Sequence, residues 1–122
     1  MSKLKTLIAG AALIGVFSLS AAQAQFVSDK PVSVTTVQEA LKNGRHDQMV
    51  AFEGFILEQI KSKKYIFADD TGRIIAEIPD KVFRGQRVDP RTKIRIEGEL
   101  ELEHAKQETI DVFRLTVLRL GG

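Results

Sequence analysis

Two long segments of the chain alternate apolar and polar residues, and each has a glycine within its apolar series. The first segment spans residues 49–60, and its even-numbered positions include Val50, Phe52, Gly54, Ile56 and Ile60. The second spans residues 92–103 and has on one parity Ile94, Ile96, Gly98, Leu100 and Leu102. A period of two predicts β-strands, and an interior glycine predicts a bulge or a sharp bend. Long, bent strands favour a small closed barrel.

The remaining pattern predicts three shorter strands and two short helices. Thr36 begins the first helix, in a capping box with Glu39, and Asn43-Gly44 ends it with residues that tolerate a left-handed conformation. Strands are expected over residues 49–60, 64–68, 73–78, 92–103 and 108–120, and a one-turn helix over 80–85. Near Phe113 the apolar residues of the last strand change from even to odd positions, which predicts a bulge. This order predicts an all-β fold, a five-stranded OB-fold barrel with a short N-terminal helix.

Residues 1–24 have the layout of a secretory signal peptide. A positively charged start precedes an apolar run from Leu7 to Leu19, and small residues end at a cleavage site after Ala24. The run is shorter than the roughly 20 residues that span a bilayer. We therefore expect a cleaved signal peptide, no membrane insertion, and one OB-fold domain over residues 25–122.

Charge and cysteine content exclude several classes of function. Two of the 18 Lys+Arg lie in the signal peptide, so the remaining 16 balance the 16 Asp+Glu. A formally neutral domain has no field that attracts phosphate backbones, so we expect no nucleic-acid partner. The chain has no cysteine, which excludes disulfides, zinc–thiolate sites and cysteine nucleophiles.

Three motifs occur in order along the predicted domain. They are V-x-F-E-G-x-I from Val50 to Ile56, Y-x-F-x-D-x-x-G from Tyr65 to Gly72, and I-x-I-x-G-E from Ile94 to Glu99. With these motifs the chain resembles the bacterial OB-fold (BOF) family of periplasmic proteins, also called the YgiW/YdeI stress-tolerance family. Phe83 stands where we expect that family to carry a tryptophan. The resemblance implies an OB fold, a periplasmic location, a role in tolerating envelope or chemical stress, and no catalytic residues.

Asp70-Thr71-Gly72 is the triplet that surrounds the catalytic aspartate of aspartic proteases. Such an enzyme needs two carboxylates that share a proton, and Arg73 beside them would hold a carboxylate in its charged form. We interpret the triplet as a hairpin turn in which the aspartate supplies a local hydrogen bond and the glycine a positive φ. A small hydrolase of the aspartic-protease type is the alternative from another class.

No metal or cofactor site is expected from the remaining polar residues. Alternate positions of the fourth strand carry the carboxylates Glu97, Glu99, Glu101 and Glu103. Neighbours at i and i+2 lie about 6.6–7 Å apart, which is too far to share one Ca²⁺ ion. We therefore expect a solvated outer face there. His46 and His104 lack the spacing of a metal site.

The outer face of the first three strands is the candidate binding surface, because OB barrels usually bind ligands there. Outward parity places on it the apolar residues Phe55, Ile66 and Ile75, flanked by Lys64 and Arg73. Apolar residues on an outer face are costly unless they are covered or used. The N-terminal arm and first helix cover them in one interpretation. In the other they make the chain a non-enzymatic binding protein for an envelope protein, a glycan such as peptidoglycan, or a small-molecule ligand.

Overall fold

The computed structural model describes residues 32–103 and 107–121. The elements in chain order are α1 (Val37–Asn43), β1 (Met49–Lys61), β2 (Lys64–Asp69), β3 (Gly72–Glu77), α2 (Asp80–Phe83), β4 (Lys93–Glu101) and β5 (Thr109–Arg119). The strands pair in the order β1-β2-β3-β5-β4, and β4 pairs again with β1 to close a barrel. The predicted fold class is confirmed. The expected signal peptide, residues 1–24, lies outside the described residues.

Gly54 marks the point at which β1 changes its partner. Up to Gly54, which pairs with Ile94, the strand lies beside β4, and from Phe55 onward it pairs with β2. A Cβ atom on Gly54 would overlap the carbonyl oxygen of Ala68. The interior glycine therefore allows the close approach of β2 at the position where the strand passes from one side of the barrel to the other.

Four register shifts each insert one extra residue into a strand. The inserted residues are Leu57 and Ile60 in β1 and Phe113 and Leu118 in β5. The predicted bulge near Phe113 is confirmed. All four side chains are large and apolar, and each is 36–44% exposed. The assignment of Ile60 to the core parity is wrong, because the bulge at Leu57 shifts the alternation and Ile60 is itself the extra residue of the second bulge.

The two helices close opposite ends of the barrel. Val37 and Ala40 of α1 are buried in the core, beside the β2–β3 turn. At the other end Val82 of α2 is buried, and the Phe83 ring meets the Tyr65 ring edge-on at 5.6 Å between centroids. The barrel between them is filled by Phe52, Phe67, Ile78, Ile94, Ile96, Leu100 and Ile110. The helices thus complete the core and leave the outer surface of the sheet to other contacts.

Helix α1 begins at the predicted cap and ends differently from the prediction. The backbone N–H of Glu39 donates a 3.1 Å hydrogen bond to Thr36 Oγ1, so the expected cap is confirmed. Gly44 has φ −73°, so the expected left-handed helix end is wrong. The Gly44 N–H still bonds to the Ala40 carbonyl at 2.9 Å, and the chain leaves the helix in an extended conformation.

The N-terminal arm, residues 32–35, lies along the first half of β1. Val34 forms a parallel bridge with Ala51, and the Thr35 N–H donates a 2.9 Å hydrogen bond to the Ala51 carbonyl. Arg95 of β4 donates from Nη2 to the Val32 carbonyl at 2.8 Å. Ala51 has outward parity and is nevertheless fully buried. The arm therefore covers the β1–β4 part of the barrel surface.

Candidate functional site

The strand register brings the five predicted site residues onto one face of three adjacent strands. Ile66 on β2 lies directly opposite Ile75 on β3. Ala68 on β2 has Phe55 of β1 on one side and Arg73 of β3 on the other. Lys64 lies two residues before Ile66, on the same side of β2. We call Phe55, Lys64, Ile66, Arg73 and Ile75 the outer face.

The outer face is partly open to solvent. Its three apolar residues and Lys64 are half-buried, and Arg73 is exposed. The buried apolar residues of helix α1, Val37 and Ala40, pack into the barrel core rather than over this face, and Leu41 is 38% exposed. Of the arm residues that the structure describes, 32–35, Val34 and Thr35 line a cavity together with Phe55 at that end of the face.

Two exposed bulge residues add apolar surface beside the outer face. Leu57 is the extra residue next to Glu58, which pairs with Ile66, and Ile60 is the extra residue next to Lys61. Their exposed fractions are 36% and 44%. Parity alone assigned Ile60 to the core, because a strand with a bulge no longer alternates regularly, whereas Leu57 has the outward parity of Phe55. The signal that would have revealed the two bulges is that β1 uses more residues than β2 over the same paired length.

An acidic cavity borders the outer face at its Lys64 end. It measures about 330 Å³ and is lined by Lys64, Glu77, Glu101, Glu103, Gln107, Thr109 and Asp111. Lys64 Nζ lies 3.7 Å from Glu77 Oε1. Partial burial raises the pKa of the Asp111 carboxyl, and the neighbouring carboxylates Glu101 and Glu77 raise it further. The candidate site is therefore apolar in its centre and strongly anionic at one border.

A second cavity of about 270 Å³ lies at the opposite border, between the arm and the β2–β3 turn. The ring of Phe55 lines it together with polar and charged groups, among them Glu53, Asp69, Thr71 and Lys93. An aromatic side chain with a few polar groups is a common composition for the recognition of small ligands. The outer face thus lies between two cavities of different chemistry.

The β2–β3 turn is the expected hairpin, but different residues hold it together. Asp69 pairs with Gly72 across the turn. Asp69 Oδ1 accepts hydrogen bonds from the Thr71 N–H at 2.8 Å, the Thr71 hydroxyl at 2.6 Å and the Gly72 N–H at 3.1 Å. Asp70 is exposed. The assignment of the hydrogen bond to Asp70 is therefore wrong, and so is the positive φ expected at Gly72, since Gly85 is the only glycine in the described chain that adopts one.

The sequence predicted a solvated row of glutamates on β4, but one of them is buried. Glu97 is only 4% exposed. Arg114 Nη1 donates to its Oε1 at 3.1 Å, and Arg95 Nε lies 3.6 Å from its Oε2. Arg95 also forms an ion pair with Glu53 at 3.6 Å. The expectation of a solvated row is wrong at Glu97, because this buried carboxylate is held between Arg95 and Arg114.

Histidine and carboxylate side chains do not converge on a metal site in the part of the chain that the structure describes. Within residues 32–103 and 107–121, no group of three or more such ligands is placed to hold an ion. His46 Nδ1 accepts a 3.2 Å hydrogen bond from the Leu102 N–H, and its Nε2 lies 3.5 Å from Glu103. The position of His104 lies outside the described residues.

Comparison with known proteins relates the chain to one family. The family model described as "Bacterial OB fold (BOF) protein" matches residues 17–117. The calcium-regulated OB-fold protein CarO of Pseudomonas aeruginosa is 30% identical over 108 residues, which cover 88% of this chain and 92% of CarO. Protein YgiW of Escherichia coli K12 is 39% identical over 80 residues, which cover 66% of this chain and 60% of YgiW. A solved structure of E. coli YgiW matches with a TM-score of 0.67 at 34% identity, covering 77% of this chain and 100% of that one.

Proposed function

Because the chain belongs to the bacterial OB-fold (BOF) family, we propose that it is a non-enzymatic periplasmic binding protein that contributes to tolerance of envelope or chemical stress. The outer face is the observation that carries this proposal. It holds apolar side chains on three neighbouring strands, half-buried and uncovered by α1, with two cations beside them. A surface of this kind is costly in a monomer unless a partner uses it.

The contacts of the Asp70-Thr71-Gly72 segment support a binding role over hydrolysis. A protease dyad needs a carboxylate that can share a proton with a second one. Asp69, the partly buried aspartate of this turn, instead accepts four hydrogen bonds from the chain around it. Asp70 faces solvent at the tip of the hairpin. Asp69 is therefore assigned to turn structure, and Asp70 to the exposed tip of the hairpin.

The partner we propose is an envelope protein, a glycan or a small molecule with an apolar part and an anionic or polar group. Phe55, Ile66 and Ile75 would contact the apolar part, and Lys64 and Arg73 would meet the anionic or polar group. The cavity beside Phe55 favours a glycan such as peptidoglycan as a second candidate. Its lining combines the aromatic residue Phe55 with the charged residues Glu53 and Lys93.

The proposed location depends on the signal peptide over residues 1–24. Cleavage after Ala24 would release a domain over residues 25–122, without membrane insertion. Among the residues that the structure describes, no helix is long and apolar enough to cross a membrane. N-terminal sequencing of protein recovered from the periplasm is expected to start at Gln25. A membrane-bound chain that retains Met1 would contradict the proposal.

The binding role is tested by capture of partners from a periplasmic extract. Tagged mature protein is compared with the charge reversal Lys64→Glu/Arg73→Glu, and captured molecules are identified by mass spectrometry. We expect the reversal to remove partners that the unaltered protein retains. The control Lys81→Glu/Arg119→Glu changes the charge equally at two exposed positions outside the outer face. Equal capture by both variants would show that the outer face is not the binding site.

A further inference from the structure

Carboxylates from three neighbouring strands converge on the acidic cavity at the Lys64 end of the outer face. Asp111 on β5 lies opposite Glu99 on β4 and opposite Glu77 on β3. Glu101, two residues further along β4, lines the same cavity. Lys64 of β2 is the one cation that lines it among the described residues. Residues 104–106, between Glu103 and Gln107, lie outside the described part of the chain.

Two of these carboxyl groups are diagonal neighbours on adjacent strands. Glu101 pairs with Thr109 and Glu99 with Asp111, so the Glu101 and Asp111 side chains lie on the same side of the sheet within reach of each other. A hydrogen bond between them contributes to the raised pKa of Asp111. Two ionised carboxylates both accept and neither donates, so a hydrogen bond between them requires one proton. Burial and the neighbouring negative charges of Glu77 and Glu99 disfavour the doubly ionised form further. The arrangement therefore favours the uptake of a proton.

We propose that Asp111 and Glu101 form a proton-binding pair that switches the charge at the border of the outer face as the pH falls. A proton from solvent bonds to one carboxylate oxygen, and the pair changes from two negative charges to one. The proton then lies between the two side chains and joins β4 to β5. No other group changes its bonding in this step.

Loss of one negative charge alters the surroundings of Lys64. Its ammonium lies 3.7 Å from Glu77 Oε1, and Glu77 on β3 pairs with Asp111 on β5. At neutral pH this ammonium is attracted by Glu77 and by the rest of the anionic cavity. Once the pair is protonated the attraction weakens, so Lys64 becomes more available to an anionic group on a ligand. This second step rests on the proposed function of the outer face, whereas the uptake of the proton does not.

The proton uptake is tested by NMR titration of side-chain carboxyl carbons in the mature protein. We expect the Asp111 carboxyl carbon to titrate with a midpoint above the ordinary pKa of 3.8. In Glu101→Gln, the Asp111 midpoint is expected to shift down toward the ordinary value. The control Glu58→Gln removes an exposed carboxylate outside the cavity and is expected to leave Asp111 unchanged. An Asp111 midpoint at or below 3.8, or one that ignores Glu101→Gln, would overturn the proposal.

The effect on the outer face is measured on Lys64 itself. We expect the Cε resonance of Lys64 to shift with the same midpoint as Asp111. Asp111→Asn, which imitates the protonated carboxyl in shape and charge, is expected to abolish that shift, with circular dichroism confirming its fold. Carboxyl titration without any response at Lys64 would show that the switch does not reach the outer face. Failure of partner capture would leave both titrations intact, so the two proposals fail separately.

Discussion

Asp69 Oδ2 accepts a 2.9 Å hydrogen bond from the backbone N–H of Val37, a residue 32 positions earlier in the chain. The other oxygen of the same carboxylate binds the β2–β3 turn through Thr71 and Gly72. One side chain therefore both closes a hairpin and satisfies the first free N–H of α1. The helix is held over the end of the barrel by this contact in addition to its apolar packing.

Removal of this carboxylate is expected to destabilise the domain. Asp69→Ala should lower the free energy of unfolding by about 1–3 kcal/mol, because it leaves partly buried donors without a partner. Asp70→Ala is the matched control, since Asp70 is exposed at the same turn. Urea denaturation of both variants measures the difference. An equal loss in the two variants would contradict the role assigned to Asp69.

The same carboxylate predicts a loss of stability in acid. Partial burial alone would raise the pKa of Asp69, but hydrogen bonds from Thr71, Val37 and Gly72 outweigh it and lower the pKa below 3.8. Its contribution is therefore fully present above pH 3.8 and is lost as the pH falls further, through the lower pKa of the folded state. The melting-temperature gap between the unaltered protein and Asp69→Asn should be widest near neutral pH and narrow below pH 3.8. A gap that stays constant in acid would contradict this.

The sequence predicted the elements well because alternation and caps are local signals. Nine of the ten strand ends shift by one residue or less, and the interior glycine at 54 lies where a strand changes partner. The choice between Asp69 and Asp70 required a contact with Val37, which no local pattern contains. The exposed position of Ile60 required knowledge of two bulges. Errors of this kind arise wherever pairing between distant segments decides the local geometry.

Periodicity also shows which side of a strand a residue faces without showing what lies over that side. Ala51 and Glu97 both have outward parity, yet both are buried, Ala51 where Val34 of the arm pairs with it and Glu97 between Arg95 and Arg114. Ile66 and Ile75 have outward parity as well and remain half-exposed. The candidate site could therefore be placed on a face from the sequence, whereas its borders depend on where the arm and α1 pack.

Gly98 on β4 is expected to tolerate no side chain. A Cβ atom there would overlap the Asp111 carbonyl oxygen on β5, next to the bulge at Phe113. Gly98→Ala should therefore cost about 1–3 kcal/mol of unfolding free energy, as overpacking typically does. Gly72→Ala is the control, because a Cβ there meets only Val37 Cγ1, at 3.6 Å. Thermal denaturation that ranks the two variants in the opposite order would refute this account.

Arg84 occupies a left-handed conformation, with φ 52° and ψ 38°, at the end of α2. A side chain in this conformation costs roughly 1–2 kcal/mol that glycine avoids. The larger entropy of glycine in the unfolded chain offsets about 0.4–1 kcal/mol of that gain. We expect Arg84→Gly to stabilise the domain by up to about 1 kcal/mol, measured by urea denaturation. Lys81→Gly, inside the same helix, is expected to destabilise it, and stabilisation by both would point to a cause other than φ.

The outer face predicts a separation between binding and stability in two neighbouring isoleucines. Ile74 points into the barrel and is 5% exposed, whereas Ile75 lies on the outer face opposite Ile66. Ile74→Thr should cost roughly 2 kcal/mol or more, because it removes buried apolar volume and buries a hydroxyl. Ile75→Thr should cost less than about 1 kcal/mol, since threonine keeps the β-branched shape that suits a half-buried strand.

Partner capture is expected to rank the same two variants in the reverse order. Ile75→Thr removes apolar contact area from the outer face, so it should weaken capture from a periplasmic extract while the melting temperature changes little. Ile74→Thr leaves the outer surface intact, so at a temperature where it remains folded it should capture partners as the unaltered protein does. Capture per folded molecule, with the folded fraction measured by circular dichroism, separates the two effects. If capture followed stability in both variants, the outer face would have no binding role of its own, and the cavity beside Phe55 would become the position to test.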